Sequence, residues 1–294
     1  MHGVTIVGPG RLGGALAVGL SEAGYGIDSL IYRDRRPPRS LSNAIVSPHL
    51  TLSIKKAIAI DSPIVIIATQ DEELPNAISA LSAKVKSGST VFHTSGSIPS
   101  DILNDFRESG SAVASLHPLA SISNWTDGKT RFPASYFCLE GDAKAVRVGS
   151  QIAKRLGARS FEIESRYKSL YHAAALTVAG HVTALFDIAV DFMIKAGVDR
   201  KMARRLLQPL LLGVAQNLNE KDTDAALTGT YARGDIGTML RHLEALSLND
   251  SRDEMLIYIE LGLHSIKLAE RHGLDPAKAK GMRKQLLVAK AKTQ

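Results

Sequence analysis

The sequence predicts an α/β fold in two parts, a doubly wound parallel sheet followed by an all-α region. Three observations carry this reading. Short apolar runs alternate with helical segments in the first half, strand signals vanish beyond about residue 166, and a glycine-rich turn joins the first run to the first helix. At 294 residues the chain is long enough for two domains.

Taken in order, residues 4–7, 29–32, 64–69, 90–94 and 112–116 read as buried strands, with helical segments such as 13–23 and 74–86 between them. Strands with little polar alternation that alternate with helices indicate a parallel sheet covered on both faces. Two further strand-like pieces, 136–139 and 160–163, flank a helical run at 144–156. The expected division is therefore an α/β domain at 1–164 and an all-helical domain at 165–294. The longest helical run, 167–196, would be about 45 Å long. Its middle, "AAALTVAGHVTALFDIAV", is apolar almost all round, and such a helix needs other helices around it. His181 and Asp187 interrupt it, and alanine dominates over leucine, which argues against a membrane span. One small helical domain has few helices to offer, so a homodimer is expected. His181 reads as a buried, hydrogen-bonded histidine.

Hydrophobic residues at 45% and charged residues at 22% are ordinary globular values and exclude global disorder. The single cysteine, Cys138, excludes an internal disulfide framework and a Cys-based zinc site, and reads as a small buried hydrophobe. No set of His and carboxylates has metal-site spacing, so no metal is expected. No secretory signal pattern opens the chain, which sets the expectation of a cytoplasmic protein. The net charge of +7 gathers at 33–39, 200–205 and 278–292. Clustered Lys and Arg can bind phosphate backbones. With aromatics at 5% and none set among these clusters, solvated helix faces and a small anionic ligand are expected instead of nucleic acid.

The stretch "VTIVGPGRLGGALAVGL" sets Gly8-x-Gly10-x-x-Gly13 between a strand and a helix, the context in which that spacing cradles a dinucleotide. Gly8 permits the tight turn, Gly10 the approach of a pyrophosphate, and Gly13 the packing of helix on strand. Arg11 and Leu12 complete the first helical turn, whose free N–H groups favour an anion. At the end of the second strand, where NAD sites tend to carry an acid and NADP sites an arginine, stand Arg33, Asp34, Arg35 and Arg36. Three guanidiniums point to NADP, while Asp34 keeps NAD as the alternative. Thr69 and Gln70 in "VIIATQDEEL", and Ser95, Gly96 and Ser97 in "HTSGSIP", fall at strand C-termini, where ligands of such sheets bind. Ser95 is assigned to the cofactor and Ser97 to the substrate. His117 in "SLHPLAS" ends another strand. Lys168 and His172 in "ESRYKSLYHAAA" are four residues apart, which sets their Cβ atoms about 5–6 Å apart on one helix face. Two such cations repel, lowering both pKa values, and a lysine shifted down suits proton donation at neutral pH.

Together "GPGRLGGAL", "HTSGS", "SLHPLAS", "KSLYHAAAL" and "LTGTYARGD" resemble the superfamily of β-hydroxyacid dehydrogenases, ketopantoate reductases, pyrroline-5-carboxylate reductases and prephenate dehydrogenases. These join a Rossmann domain to an all-helical domain of the 6-phosphogluconate dehydrogenase C-terminal type. More closely, the chain resembles a Rossmann-like oxidoreductase family whose helical domain was long catalogued as of unknown function. The resemblance spans nearly the whole chain. It implies a catalytic lysine followed four residues later by asparagine; Lys168 matches, and His172 replaces the asparagine. His117 would match the substrate-contacting histidine of prephenate dehydrogenases, although its flanking residues differ. In "LTGTYARGD", Arg233 is expected to clamp a substrate carboxylate through its planar fork. Thr230 and Tyr231 stand where the family usually shows proline and a small aliphatic residue, so this lining is expected to select a different substrate.

The expected activity is NADP-dependent reduction of a small carboxylate-bearing carbonyl compound, with ketopantoate the specific substrate the resemblance suggests. Lys168 would protonate the developing alkoxide, assisted by His172 or His117. An imine reductase of the pyrroline-5-carboxylate type and a non-catalytic NADP(H)-binding redox sensor are the alternatives.

Overall fold

The structure, a computed structural model, describes residues 3–47, 49–249 and 251–293. The chain divides into two compact units, Met1–Gly180 and His181–Gln294.

In the N-terminal unit the strands are β1 (Gly3–Val7), β2 (Gly26–Tyr32), β3 (Leu50–Ser53), β4 (Ile64–Ile67), β5 (Thr90–His93), β6 (Ala112–Leu119), β7 (Tyr136–Gly141) and β8 (Arg159–Glu162). The helices are α1 (Arg11–Glu22), α2 (Arg39–Ala44), α3 (Leu74–Leu81), α4 (Asn104–Glu108), α5 (Gly128–Arg131), α6 (Ala143–Arg155) and α7 (Lys168–Leu176). The strands form one eight-stranded sheet in the order β3-β2-β1-β4-β5-β6-β7-β8. Strand β4 shows why polar alternation is missing. Its Ile64 and Ile66 join the cluster under α1 and α6, while Val65 and Ile67 join the cluster under α3 and α4. A parallel strand covered on both faces has no solvent side to mark. Helix α3 sets Leu74, Ala77, Ile78 and Leu81 on one face, the i, i+3, i+4, i+7 spacing of an amphipathic helix, and buries all four.

Three features differ from the sequence expectation. Strand β3 was not expected; it is a short edge strand, exposed or half-buried throughout, and so lacks a buried-run signal. Strand β7 runs antiparallel to β6, because the chain returns through α5 and a 3-10 turn instead of crossing the sheet on a long helix. Strand β6 continues to Leu119, which places His117 within it, whereas β4 and β5 stop at Ile67 and His93 and leave Thr69, Gln70 and Thr94 in turns.

The C-terminal unit holds α8 (Val182–Lys195), α9 (Arg200–Glu220), α10 (Thr223–Ala226), α11 (Thr230–Arg233), α12 (Ile236–Leu248), α13 (Arg252–Arg271) and α14 (Pro276–Thr293). Its core comes from α12, α13 and α14, through residues such as Met239, Leu243, Ile259, Ile266, Met282 and Leu286. Helices α8 and α9 pack on each other but bury only Val190 and Ala203 respectively. Helix α7 passes through a π-helical turn, Thr177–His181, into α8. The whole stretch Ser165–Lys195 is long and apolar enough to cross a membrane by length and composition, with 6% of its most apolar window buried. Contrary to expectation His181 is exposed, since few neighbours in the chain cover this helix. The unit boundary at Gly180 leaves α7 with the sheet, where the expected division at 164 had grouped it with the helices.

Candidate active site

The turn after β1 forms one half of the site. Gly8 adopts φ 81°, and a Cβ there would lie 2.9 Å from the Ala68 carbonyl oxygen, so the turn requires glycine. A Cβ on Gly10 would meet nothing within 4 Å, which leaves open space above the turn. At Gly13 it would sit 2.2 Å from the Gly8 oxygen, so α1 rests directly on the turn. Gly10 caps α1 with no side-chain hydrogen bond and no acid follows in the first turn, so the helix offers free N–H groups to an anion. Leu12 turns its side chain inward against the sheet core and contributes at most its backbone.

Above this turn lies a cleft of about 870 Å³, lined by Gly8, Gly10, Arg11, Arg33, Arg35, Arg36, Thr69 and Gln70. These are eight of the eleven residues that the sequence assigned to a cofactor; Leu12, Gly13 and Ser95 do not line the cleft. The Thr69 Oγ1 is buried there with no hydrogen-bond partner, an orphan that a bound ligand can satisfy. Arg33 is held by Asp34 through its Nε at 2.5 Å and by Glu73. The ends of β5 and β6 form the second half. Asp71 Oδ2 accepts from the Ser95 and Ser97 hydroxyls, each at 2.9 Å, and Ser95 Oγ accepts from the backbone N–H of Ser97 and of Ile98. The Ser95 hydroxyl is thus committed to shaping the turn.

Lys168 is wholly buried. Its Nζ donates to the Ser95 carbonyl oxygen at 3.1 Å and to Ser115 Oγ at 2.7 Å. Burial pushes its pKa below the ordinary lysine value, and the acidic groups Cys138, Glu140 and Asp71 oppose that shift without cancelling it. The downward shift was expected, but its cause is desolvation and not repulsion by His172. His117 meets the Tyr171 hydroxyl through Nδ1 at 2.7 Å, and its ring stands edge-on to that of His172 at 5.6 Å between centroids. Burial, then the charges of Lys168 and His172, push His117 down to about 3. His93, buried with its Nδ1 accepting from the Ser95 N–H, is pushed down to about 4 by burial and Lys168. Glu140 on β7 accepts from Ser100 N–H, Ser100 Oγ and Ser165 Oγ, and so fixes the turn leading into α7.

The structure therefore brings Ser95, Ser97, His117, Lys168 and His172 together. Arg233 belongs to the C-terminal unit, where it is exposed at the end of α11, before Gly234 in the left-handed region at φ 67°. Tyr231 does not face outward as a lining residue. Its ring packs at 6.2 Å from that of Tyr258 and against the helical core. Cys138 is buried, as expected, and burial pushes its thiol up. Sequence reasoning missed Asp71, Ser115, Glu140 and Tyr171. Tyr171 alone had a legible signal, three residues after Lys168 and hence on the same helix face. Among the described residues no group of three or more His, Cys, Asp or Glu is placed to hold a metal ion.

Residues 2–118 match the Rossmann-like domain family, and residues 135–265 match a family described as a domain of unknown function, DUF2520. No curated protein matches the chain in sequence. Among solved structures, a Bacteroides fragilis protein classed as an NADP oxidoreductase is 18% identical with a TM-score of 0.72, over 90% of this chain and 98% of that one. The reductive aminase of Aspergillus terreus, solved with NADPH and ethyl levulinate, is 17% identical with a TM-score of 0.61, over 93% and 95%. The pyrroline carboxylate reductase of Plasmodium falciparum, solved with NADP bound, is 14% identical with a TM-score of 0.58, over 96% and 98%. At these identities the likeness is one of fold.

Proposed function

We propose that this chain, a Rossmann-like domain joined to a DUF2520 domain, is an NADP-dependent reductase of a small carboxylate-bearing carbonyl compound. The observation that carries the reading is the cleft above the Gly8 turn, with its uncapped helix start, its orphaned Thr69 hydroxyl and three arginines on one wall. The α1 N-terminus suits a pyrophosphate, and Arg33, Arg35 and Arg36 suit a ribose 2′-phosphate. NADPH, when bound, supplies a hydride. The chain's own residues bind and orient: the Ser95–Ser97 turn and the His117–His172 pair border the place where a C=O group would lie.

Reduction of a C=N group is the second reading. It is favoured by the full burial of Lys168, since a protonated imine needs no strong acid from the protein. Two of the similar folds above carry names of that chemistry. Steady-state NADPH oxidation with a panel of 2-oxo acids and cyclic imines separates the readings by which class turns over. Tight NADPH binding with no turnover of either class would refute the enzyme and favour a redox-sensing module. Reversing the charge in Arg33→Glu should weaken NADPH binding by about tenfold or more and leave NADH nearly unaffected, as measured by calorimetry. Equal wild-type affinities for the two cofactors would remove the case for NADP.

A homodimer belongs to the same proposal, seated mainly on the apolar and largely unburied run that follows Lys168. Helix α9 exposes Met202, Leu206, Leu210, Val214 and Leu218 in a row at every fourth position, a stripe suited to a second copy.

A further inference from the structure

We infer that Tyr171 is a positioning residue that fixes His117 with its proton on Nε2, so that a neutral imidazole donates a hydrogen bond to the acceptor atom of the substrate's C=O or C=N group. The inference rests on the reductase reading above. The Tyr171 hydroxyl lies 2.7 Å from His117 Nδ1. Burial raises the phenol's pKa, so it keeps its proton and has one to give. Its other polar neighbour is the thiol of Cys138, the cross-strand partner of His117, and an imidazole nitrogen is a better acceptor than sulfur. With Nδ1 accepting from the phenol, the ring's single proton sits on Nε2.

Nε2 occupies the opposite edge of the ring, at the Gly96 turn. A Cβ on residue 96 would lie 2.9 Å from it and 2.3 Å from His172 Nδ1, so only glycine lets the two imidazole edges close on that point. His172 Nδ1 is itself buried without a hydrogen-bond partner, a second polar atom aimed at the same turn. Lys168 is not placed for the contact, because its ammonium is walled in against Ser95 and Ser115. The groups that face His117 are Lys168, Tyr171 and His172 from α7, His93 from β5, Cys138 from β7 and Asp71 after β4. Of the charges among them only Asp71 favours an imidazolium, and burial and Lys168 outweigh it. The hydrogen bond would polarise the double bond towards reduction, and the proton that completes an alcohol would then be drawn from solvent.

Nitrogen-15 NMR of the histidines in the full chain, without substrate at pH 7, tests the assignment. His117 should show a protonated Nε2 and a bare Nδ1, and Tyr171→Phe should show both tautomers. In turnover, Tyr171→Phe should lower kcat about tenfold, the worth of roughly one net hydrogen bond, with KM for NADPH unchanged. Wild-type kcat should stay level as pH rises through 6.5, where an imidazolium acid of ordinary pKa would lose its proton. A protonated Nδ1, or an imidazolium at pH 7, overturns the inference even if Tyr171→Phe fails to fold. Turnover together with a protonated Nδ1 overturns it alone, whereas the expected tautomer without turnover of any carbonyl or imine overturns the reductase reading beneath it.

Discussion

Strand β4 and helix α9 are both rich in aliphatic side chains, and the folded chain treats them in opposite ways. Ile64, Val65, Ile66 and Ile67 are at most 5% exposed, whereas the five residues of the α9 stripe from Met202 to Leu218 are each 46% to 66% exposed. The difference lies in what the chain supplies on each side. Crossover connections lay α1 and α6 over one face of the sheet and α3 and α4 over the other. Helix α9 packs mainly on α8 and α10, and among the described residues its stripe stays exposed. Hydrophobicity alone thus marks where burial is needed, and topology decides whether one chain can provide it.

The largest expected effect tests the saturated side of this comparison. Phe92 on β5 is fully buried, so Phe92→Ala should lower unfolding free energy by about 3–5 kcal/mol, read from denaturant midpoints. A loss below about 1 kcal/mol would mean that the sheet interior is slack. Acid provides a second, smaller test on the same side. Below about pH 6.5 the unfolded chain protonates its histidines, while folded His93 refuses a proton until about pH 4. Stability should therefore be full above pH 6.5 and fall as pH drops towards 4, by up to about 3 kcal/mol from this residue. His93→Gln should flatten that part of the profile in acid denaturation. The smallest effect on folding belongs to the uncovered side. Leu210→Ser should shift the unfolding of an isolated chain by no more than about 0.5 kcal/mol. It should nevertheless convert the proposed dimer to monomer in light scattering at micromolar concentration, and a wild-type monomer under those conditions would remove the dimer.

The local parts of the molecule were legible. The Gly8 turn, the arginines after β2 and the strand run of β4 follow from neighbours in sequence, because turn chemistry and two-sided burial are written within a few residues. What was hidden depended on pairing at a distance. Glu140 takes its partners from 40 and 25 residues away, and nothing in "FCLEG" announces either. The direction of β7 is set by how the chain returns from β6, which apolar content does not encode. Lys168 was found, but the inward course of its side chain was not, since a lysine at a helix start reads the same whether its stem points to solvent or to Ser115. Tyr171 stands between Lys168 and His172, and a tyrosine there reads the same whether its hydroxyl meets solvent or His117.

Glu140 turns one corner of the N-terminal unit into a single mechanical joint. A carboxylate on the antiparallel strand, only 5% exposed, grips the segment after Pro99 by two bonds and the approach to α7 by a third. Tilting the start of α7 therefore strains the segment that follows the Gly96 turn, and loosening that segment frees the helix. A ligand settling beside Gly96 would meet a wall whose stiffness is set by the Glu140 carboxylate on β7. Glu140→Gln keeps the shape of this joint while removing its charge, and the weaker hydrogen bonds of a neutral amide would leave it more compliant.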